Sequence, residues 1–215
     1  KKNFDKILSR QSVKQLLENL KKEYPAVIED INPDVLSLGT IQKVLQNLLK
    51  ELIPIKDLVQ ILESLIDYAK VTKNVDVLTE YVRHSLSDTI ANLYKDNNGI
   101  IRAASLSDKL EGFITSALQQ QKEAVQTLGL TPNMLTELNR SIIQTLASFR
   151  ELGYLPVVIT SATIRPYFYR LINSTFPSLI SIIGKFGNIN GGFITIEYEP
   201  QLLITTASSL AIRPV

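Results

Sequence analysis

A chain of 215 residues is long enough to bury a substantial core without covalent staples. The absence of cysteine excludes disulfides, thiolate nucleophiles and cysteine-ligated zinc, and the single histidine, His84, excludes a multi-histidine metal site. With 23 basic and 21 acidic residues the net charge is +2, which lacks the basic excess of a nucleic-acid binder.

No apolar run approaches the roughly 18 residues that span a bilayer, and Lys1-Lys2-Asn3-Phe4-Asp5 is followed by no signal-peptide core. The chain as it stands reads as soluble. Residues 10–24 pattern as a first helix, with Val13, Leu16, Leu17 and Leu20 on one face, Ser9 as N-cap and Pro25 as interruption. A short helical turn over residues 26–30 and the Asn32-Pro33-Asp34 turn lead to Ser37. From there SLGTIQKVLQNLLKELIPIKD places Ile41, Val44, Leu45, Leu48, Leu49 and Leu52 on one helical face and Gln42, Lys43, Gln46, Asn47, Lys50 and Glu51 on the other, with Pro54 ending the helix. Leu58, Val59, Ile61, Leu62, Leu65 and Ile66 form the next apolar face. A fourth helix starts at Asn74 or Asp76 and runs through Tyr81, Val82, Leu86, Ile90 and Leu93. Short connections between about four helices predict a compact helical subdomain.

The pattern changes at Tyr94. In YKDNNGIIRAAS the Asn98-Gly99 pair predicts a hairpin turn between two extended pieces. Ser105 or Ser107 then caps a helix through Leu110, Phe113, Ile114 and Leu118, which gives way to a polar run at residues 119–123. Thr131-Pro132 reads as an N-cap with proline in the first turn, ahead of a helix whose Met134, Leu135, Leu138, Ile142, Leu146 and Phe149 face inward and which ends near Gly153. The continuous apolar run of residues 155–160 suits a strand buried on both faces. Ser161 turns it into a helix with Ile164, Tyr167, Phe168, Leu171 and Ile172 inward, closed by Pro177 before a strand at residues 179–183. The fold class expected is α+β: a helical subdomain at residues 1–93, a small α/β subdomain with a mixed sheet at 94–183, and a tail of unassigned strands at 184–215.

The wording of three segments, SLGTIQKVLQNLL, PIKDL and LTEYVR, within one ungapped stretch of about fifty residues, resembles the FlhA family of export-gate proteins of flagellar and virulence-associated type III secretion. KDNNGIIRAASLSDKLE and GYLPVVITSATIRPYFYRLI extend the resemblance into the α/β half, so that it covers roughly residues 8–180. The text of the second half looks more flagellar than virulence-associated. After residue 180 the usual Leu-Ser-Tyr-Asn-Glu-like ending is missing and the Gly187-Asn188-Ile189-Asn190-Gly191-Gly192 stretch reads as linker, followed by strands at residues 193–198 and 202–206. The tail loosely echoes residues 159–166 at residues 204–214, which reads as chance similarity of apolar strands, with a duplicated or engineered end as the alternative.

The resemblance implies a C-terminal piece of the cytosolic part of a membrane protein, at the cytoplasmic face of the bacterial inner membrane. It also implies a homo-oligomeric ring, commonly nonameric, that receives export chaperones and secreted substrates and meets other export-apparatus proteins, with no bond-making step. No enzyme activity, cofactor, metal or nucleic-acid partner is expected. The candidate subunit or partner contacts are Gln42, Lys43, Gln46, Asn47 and Arg165, because an amide-rich face suits contacts that form and release.

Other residue clusters point to chemistry less well. His84 lies off the line of Val82, Leu86 and Ile90, as a solvated or capping side chain does. Glu29-Asp30, Asp57, Glu63, Asp67, Asp76 and Glu80 read as solvated helix faces; catalysis or a divalent ion requires them sunk in a cleft. Lys21-Lys22, Lys43 and Lys50 lack interleaved aromatics, unlike a single-strand binding patch. The alternative to an interaction module is a small-anion or nucleotide site at the Thr160 to Arg165 turn, where a helix N-terminus follows a buried strand. Against it, no GxxxxGK[ST] or GxGxxG occurs.

Overall fold

In the computed structural model, which describes residues 8–97, 99–120, 130–176, 181–184 and 212–214, the chain divides into two units, Lys1–Ile90 and Ala91–Val215. The first is built from α1 (Arg10–Glu23), α2 (Pro25–Glu29), α3 (Leu38–Lys50), α4 (Leu58–Tyr68) and α5 (Val75–Ser85), with α6 (Ser87–Tyr94) straddling the boundary. Three of these helices start where a side chain takes up an orphan amide: Ser9 accepts from Ser12 N in α1, Ser37 from Thr40 N in α3, and Asn74 from Asp76 N and Val77 N in α5. α5 packs against both α3 and α4, α1 lies on α3, and α2 reaches α4. Their shared core is Ile41, Val44, Leu45 and Leu48 of α3 with Ile61, Leu62, Leu65, Leu78 and Val82, all at most 1% exposed. Each such side chain contributes about 1.5–3 kcal/mol on burial, so the apolar stripes of α3 and α4, four buried side chains each, supply much of the stability of this unit.

Two boundaries differ from the sequence expectation. α3 ends at Lys50, ahead of Pro54, because Leu52 adopts φ 60° and Ile53 N donates to Leu48 O at 2.9 Å. That 6→1 bond around a left-handed residue, with Ile53 and Leu48 both buried, is a Schellman stop. Leu52 is thereby turned out to 56% exposure and leaves the apolar face on which periodicity placed it. The fourth long helix is two helices, α5 and α6, broken at Leu86, where Ser85 Oγ donates to Val82 O at 2.8 Å and competes for that carbonyl.

The second unit holds β1 (Ala104–Leu106), α7 (Asp108–Gln120), α8 (Pro132–Glu151), β2 (Val157–Thr160), α9 (Arg165–Thr175), β3 (Ser181–Gly184) and β4 (Ile212–Pro214). The sheet is mixed, in the order β3-β2-β1-β4: β2 runs parallel to both β1 and β3, and β4 is antiparallel to β1. β2 is therefore central, and all four of its residues are buried, which explains the unbroken apolar run. Ala104, Leu106 and Val158 pack with Leu110 and Ile114 of α7, Leu138, Ile142 and Phe149 of α8, and Ile164, Phe168 and Ile172 at and in α9.

Among the described residues of 94–105 no hairpin forms. Tyr94 is the last residue of α6, so no strand precedes the turn, and the turn closes locally: Asp96 N donates to Ile100 O at 2.9 Å and Ile100 N to Asp96 Oδ1 at 3.0 Å. Gly99 supplies the left-handed φ of 79°. β1 finds its partners in β2 and β4 instead. Strands expected at residues 193–198 and 202–206 lie outside the described residues.

Candidate interaction surface

The polar face of α3 is committed inward more than its composition suggests. Gln42 Nε2 and Gln46 Nε2, one turn apart, both donate to the carbonyl of Leu8, at 2.9 and 3.0 Å. Asn47 Nδ2 donates to Thr79 Oγ1 at 3.2 Å, and Thr79 Oγ1 passes its own hydrogen to Val75 O at 2.7 Å, so α3 and α5 are joined by a buried polar chain. At the end of α3, Glu51 Oε2 meets Arg83 Nη1 at 2.5 Å, with 2% of Arg83 and 10% of Glu51 exposed, and Glu80 approaches the same guanidinium at 3.9 Å. Of the predicted contact residues on this helix, Gln42, Gln46 and Asn47 hold the unit's own parts together and Lys43 alone is exposed. Sequence periodicity assigned the face; it carried no sign that partners for its amides sit 34 and 38 residues away.

Arg165, predicted at a surface, is 1% exposed, and its guanidinium carbon lies 5.8 Å from the Tyr169 ring centre. A surface contact through Arg165 is therefore corrected to a core position in α9. The turn that precedes it does not suit an anion. Ser161 N donates to the carboxylate of Glu111, Oε1 at 2.9 Å, so a negative group already occupies the first amide. Thr160 is buried with its hydroxyl on Ser161 O, and Pro166 in the first turn of α9 has no amide hydrogen to offer. A phosphate here meets like charge and few donors.

The carboxylates taken as solvated divide by burial. Glu29, Asp30, Glu63 and Asp67 are exposed, whereas half-buried Asp57 accepts from Thr89 Oγ1 at 3.0 Å. His84 is exposed in the last turn of α5. Among the described residues no group of His, Asp and Glu is placed to hold a metal ion, and no helix is long and apolar enough to cross a membrane.

Surface features that the sequence did not flag are apolar. In the first unit Tyr68 stacks on Tyr81, ring centres 3.8 Å apart and planes within 5°, beside exposed Val71 and Val77. In the second, Leu152, Tyr154 and Leu155 surround Gly153 at the end of α8, with the Arg102 guanidinium 4.5 Å from the Tyr154 ring centre and ion-paired to Asp96. A faint signal existed: Tyr154 and Leu155 follow the helix-stopping glycine and precede the buried run.

Comparison with known proteins agrees with this architecture. The flagellar biosynthesis protein FlhA of Bacillus subtilis is 34% identical over 179 residues, which is 83% of this chain and 26% of that protein. The chain thus spans about a quarter of the length of such curated relatives. Among solved structures, the Chlamydia pneumoniae CdsV and CdsO protein complex matches with a TM-score of 0.72 at 28% identity, over 91% of this chain and 56% of the matched chain. The nonameric EPEC SctV-C matches with a TM-score of 0.67 over 88% of this chain and 56% of that one, at 22% identity, a likeness of fold. The FHIPEP family model matches residues 1–184, both described units up to the end of β3. On that match the chain belongs to the FHIPEP family, the family of the flagellar FlhA proteins.

Proposed function

We propose that this chain is the C-terminal part of the cytosolic region of a flagellar-type export gate at the cytoplasmic face of the bacterial inner membrane, and that it helps build a homo-oligomeric ring which receives chaperone and substrate complexes. The observation that carries the reading is the 34% identity to a flagellar FlhA over 83% of the chain. The fold likeness to the nonameric EPEC protein supports a ring, and the likeness to a chain complexed with CdsO supports contact with other export-apparatus proteins. The role is binding and geometry, without a bond-making step and without a cofactor. The family's virulence branch is the nearest alternative, and the larger identity to flagellar relatives favours the flagellar one.

Contact with neighbours in this reading falls to the residues of the α3 region that point outward, Lys43 and Leu52, in place of the amides occupied within the unit. The test is electron microscopy of the complete cytosolic region with and without chaperone-bound substrate. Rings that gain density on adding the complex are expected; a region that stays monomeric at high concentration overturns the reading. The pair Leu52→Asp with Lys43→Glu, both on exposed side chains, is expected to leave the helical signal intact and reduce ring formation several-fold. Unaltered assembly removes this face from the interface.

A further inference from the structure

Leu52 is anomalous in both conformation and exposure. A large apolar side chain stands 56% exposed on a left-handed backbone of φ 60°, a position that glycine or asparagine ordinarily fills. Its two neighbours are anchored: Glu51 is ion-paired to buried Arg83, and Ile53 is buried with its amide on Leu48 O. The apolar contact of the Schellman stop is between Ile53 and Leu48, so the stop gains nothing from a leucine at position 52. Backbone strain that well-anchored neighbours hold in place points to a side chain kept for what it contacts.

The helical unit has a second exposed apolar feature at its other end. The Glu51–Arg83 pair, with the bond from Gln60 Nε2 to Ser85 O at 2.7 Å, puts Leu52 where α3 and α5 finish and α4 begins. Lys73 Nζ donates to Val35 O, so the end of α4 and the start of α5 meet the approach to α3. There Tyr68, the last residue of α4, stacks on Tyr81 beside exposed Val71 and Val77. The charges of the two ends also differ. Lys50 and Lys56 are exposed on either side of Leu52, and the carboxylates of that loop are taken up inside the unit, Glu51 by Arg83 and Asp57 by Thr89. At the aromatic end Glu63, Asp67 and half-buried Asp76 outnumber Lys70 and Lys73.

A head-to-tail contact needs two different surfaces that complement each other, whereas a two-fold dimer pairs one surface with itself. Two apolar sites of opposite charge balance, at opposite ends of one helical unit, meet the first requirement. We infer that Leu52 of one copy seats on the Tyr68–Tyr81 patch of the next copy. The inference rests on the ring reading above and names the surface that Leu52 meets. The strained turn then serves to hold an apolar anchor clear of its own core, already ordered before assembly.

Two single variants of the complete cytosolic region test the contact, Leu52→Asp and Val71→Asp, both on exposed side chains. Each alone is expected to reduce ring formation several-fold. Mixed in equal amounts, each brings the surface that the other lacks, and sedimentation velocity is expected to show dimers that neither variant forms alone. A mixture that stays monomeric, or rings that neither variant alters, overturns the contact. Wild-type protein that forms no ring overturns the export-gate reading and the contact with it. Leu52→Gly separates anchor from scaffold. In the 215-residue chain it is expected to leave the urea midpoint unchanged or raised, because relief of the left-handed backbone offsets the loss of a half-exposed side chain. In the complete region it is expected to weaken assembly as Leu52→Asp does. A midpoint that falls together with assembly makes Leu52 a structural residue and overturns its role as anchor.

Discussion

Arg83 carries a full charge into the core of the helical unit, where Glu51 and Glu80 offset it. An ion pair this deep adds little net stability over an apolar pair, yet removing one member leaves the other charged and dry. Arg83→Met is therefore expected to destabilise the unit by about 3 kcal/mol in urea titration, whereas Lys43→Ala on the exposed side of α3 changes it by less than about 0.5 kcal/mol. Gly153 is a different kind of single-residue constraint. It holds φ 72° at the end of α8, with Tyr154 N bonded back to Phe149 O at 2.9 Å. An added Cβ meets no atom within 4 Å, so the penalty of Gly153→Ala is purely that of the left-handed backbone. It is expected to be about 1 kcal/mol, read as a lowered unfolding midpoint. Leu52 pays the same penalty natively, held in place by the burial of Ile53 beside it.

At the scale of elements, the sequence was most legible where one physical rule acts alone. The 3.6-residue period of Ile41, Val44, Leu45 and Leu48 located α3 and its buried face, and the unbroken run at residues 155–160 located the central strand, which starts two residues later at Val157 and leaves Leu155 exposed, because burial on one or both faces is a local constraint written in local spacing. Legibility failed where a long-range partner decided the outcome. Gln42, Gln46 and Asn47 read as a face for contact with a neighbouring subunit or partner until Leu8 and Thr79 were folded against them. Asn98-Gly99 looked like a hairpin because turn chemistry says nothing about whether the preceding residues belong to a helix, as Tyr94 does. Arg165 looked exposed because its charge outweighed, on paper, its place between buried Ile164 and Phe168. Helix starts are local and were legible. Ser37 is the clearest: its hydroxyl accepts from Thr40 N at 3.1 Å. Ser37→Ala is expected to cost about 1 kcal/mol and Ser37→Asp to retain most of it, a contrast that equilibrium unfolding resolves and that a purely packing role for Ser37 would not produce.

For the molecule as a whole, the family match stops at residue 184, the last residue of β3, while the sheet does not. β4, from residues 212–214, pairs antiparallel with β1 in the register Ala104↔Pro214, Ser105↔Arg213 and Leu106↔Ile212, and so covers the edge that β3-β2-β1 alone leaves open. An open edge carries unpaired main-chain donors and acceptors and invites pairing with another chain. Here the hazard is acute, since Ala104 and Leu106 of that edge strand are buried and the neighbouring β2 is wholly apolar except for Thr160. The unfavourable side of covering it is the entropy of bringing β4 back to the sheet, which grows only logarithmically with the number of residues in between. A chain ending after Gly184 is therefore expected to keep its helical content, because the helical unit has its own core, but to scatter light sooner on heating and to lose protection at the amides of residues 104–106. A shortened chain that stays monomeric and equally protected there would mean that the three parallel strands shield their own edge and that β4 contributes no stability.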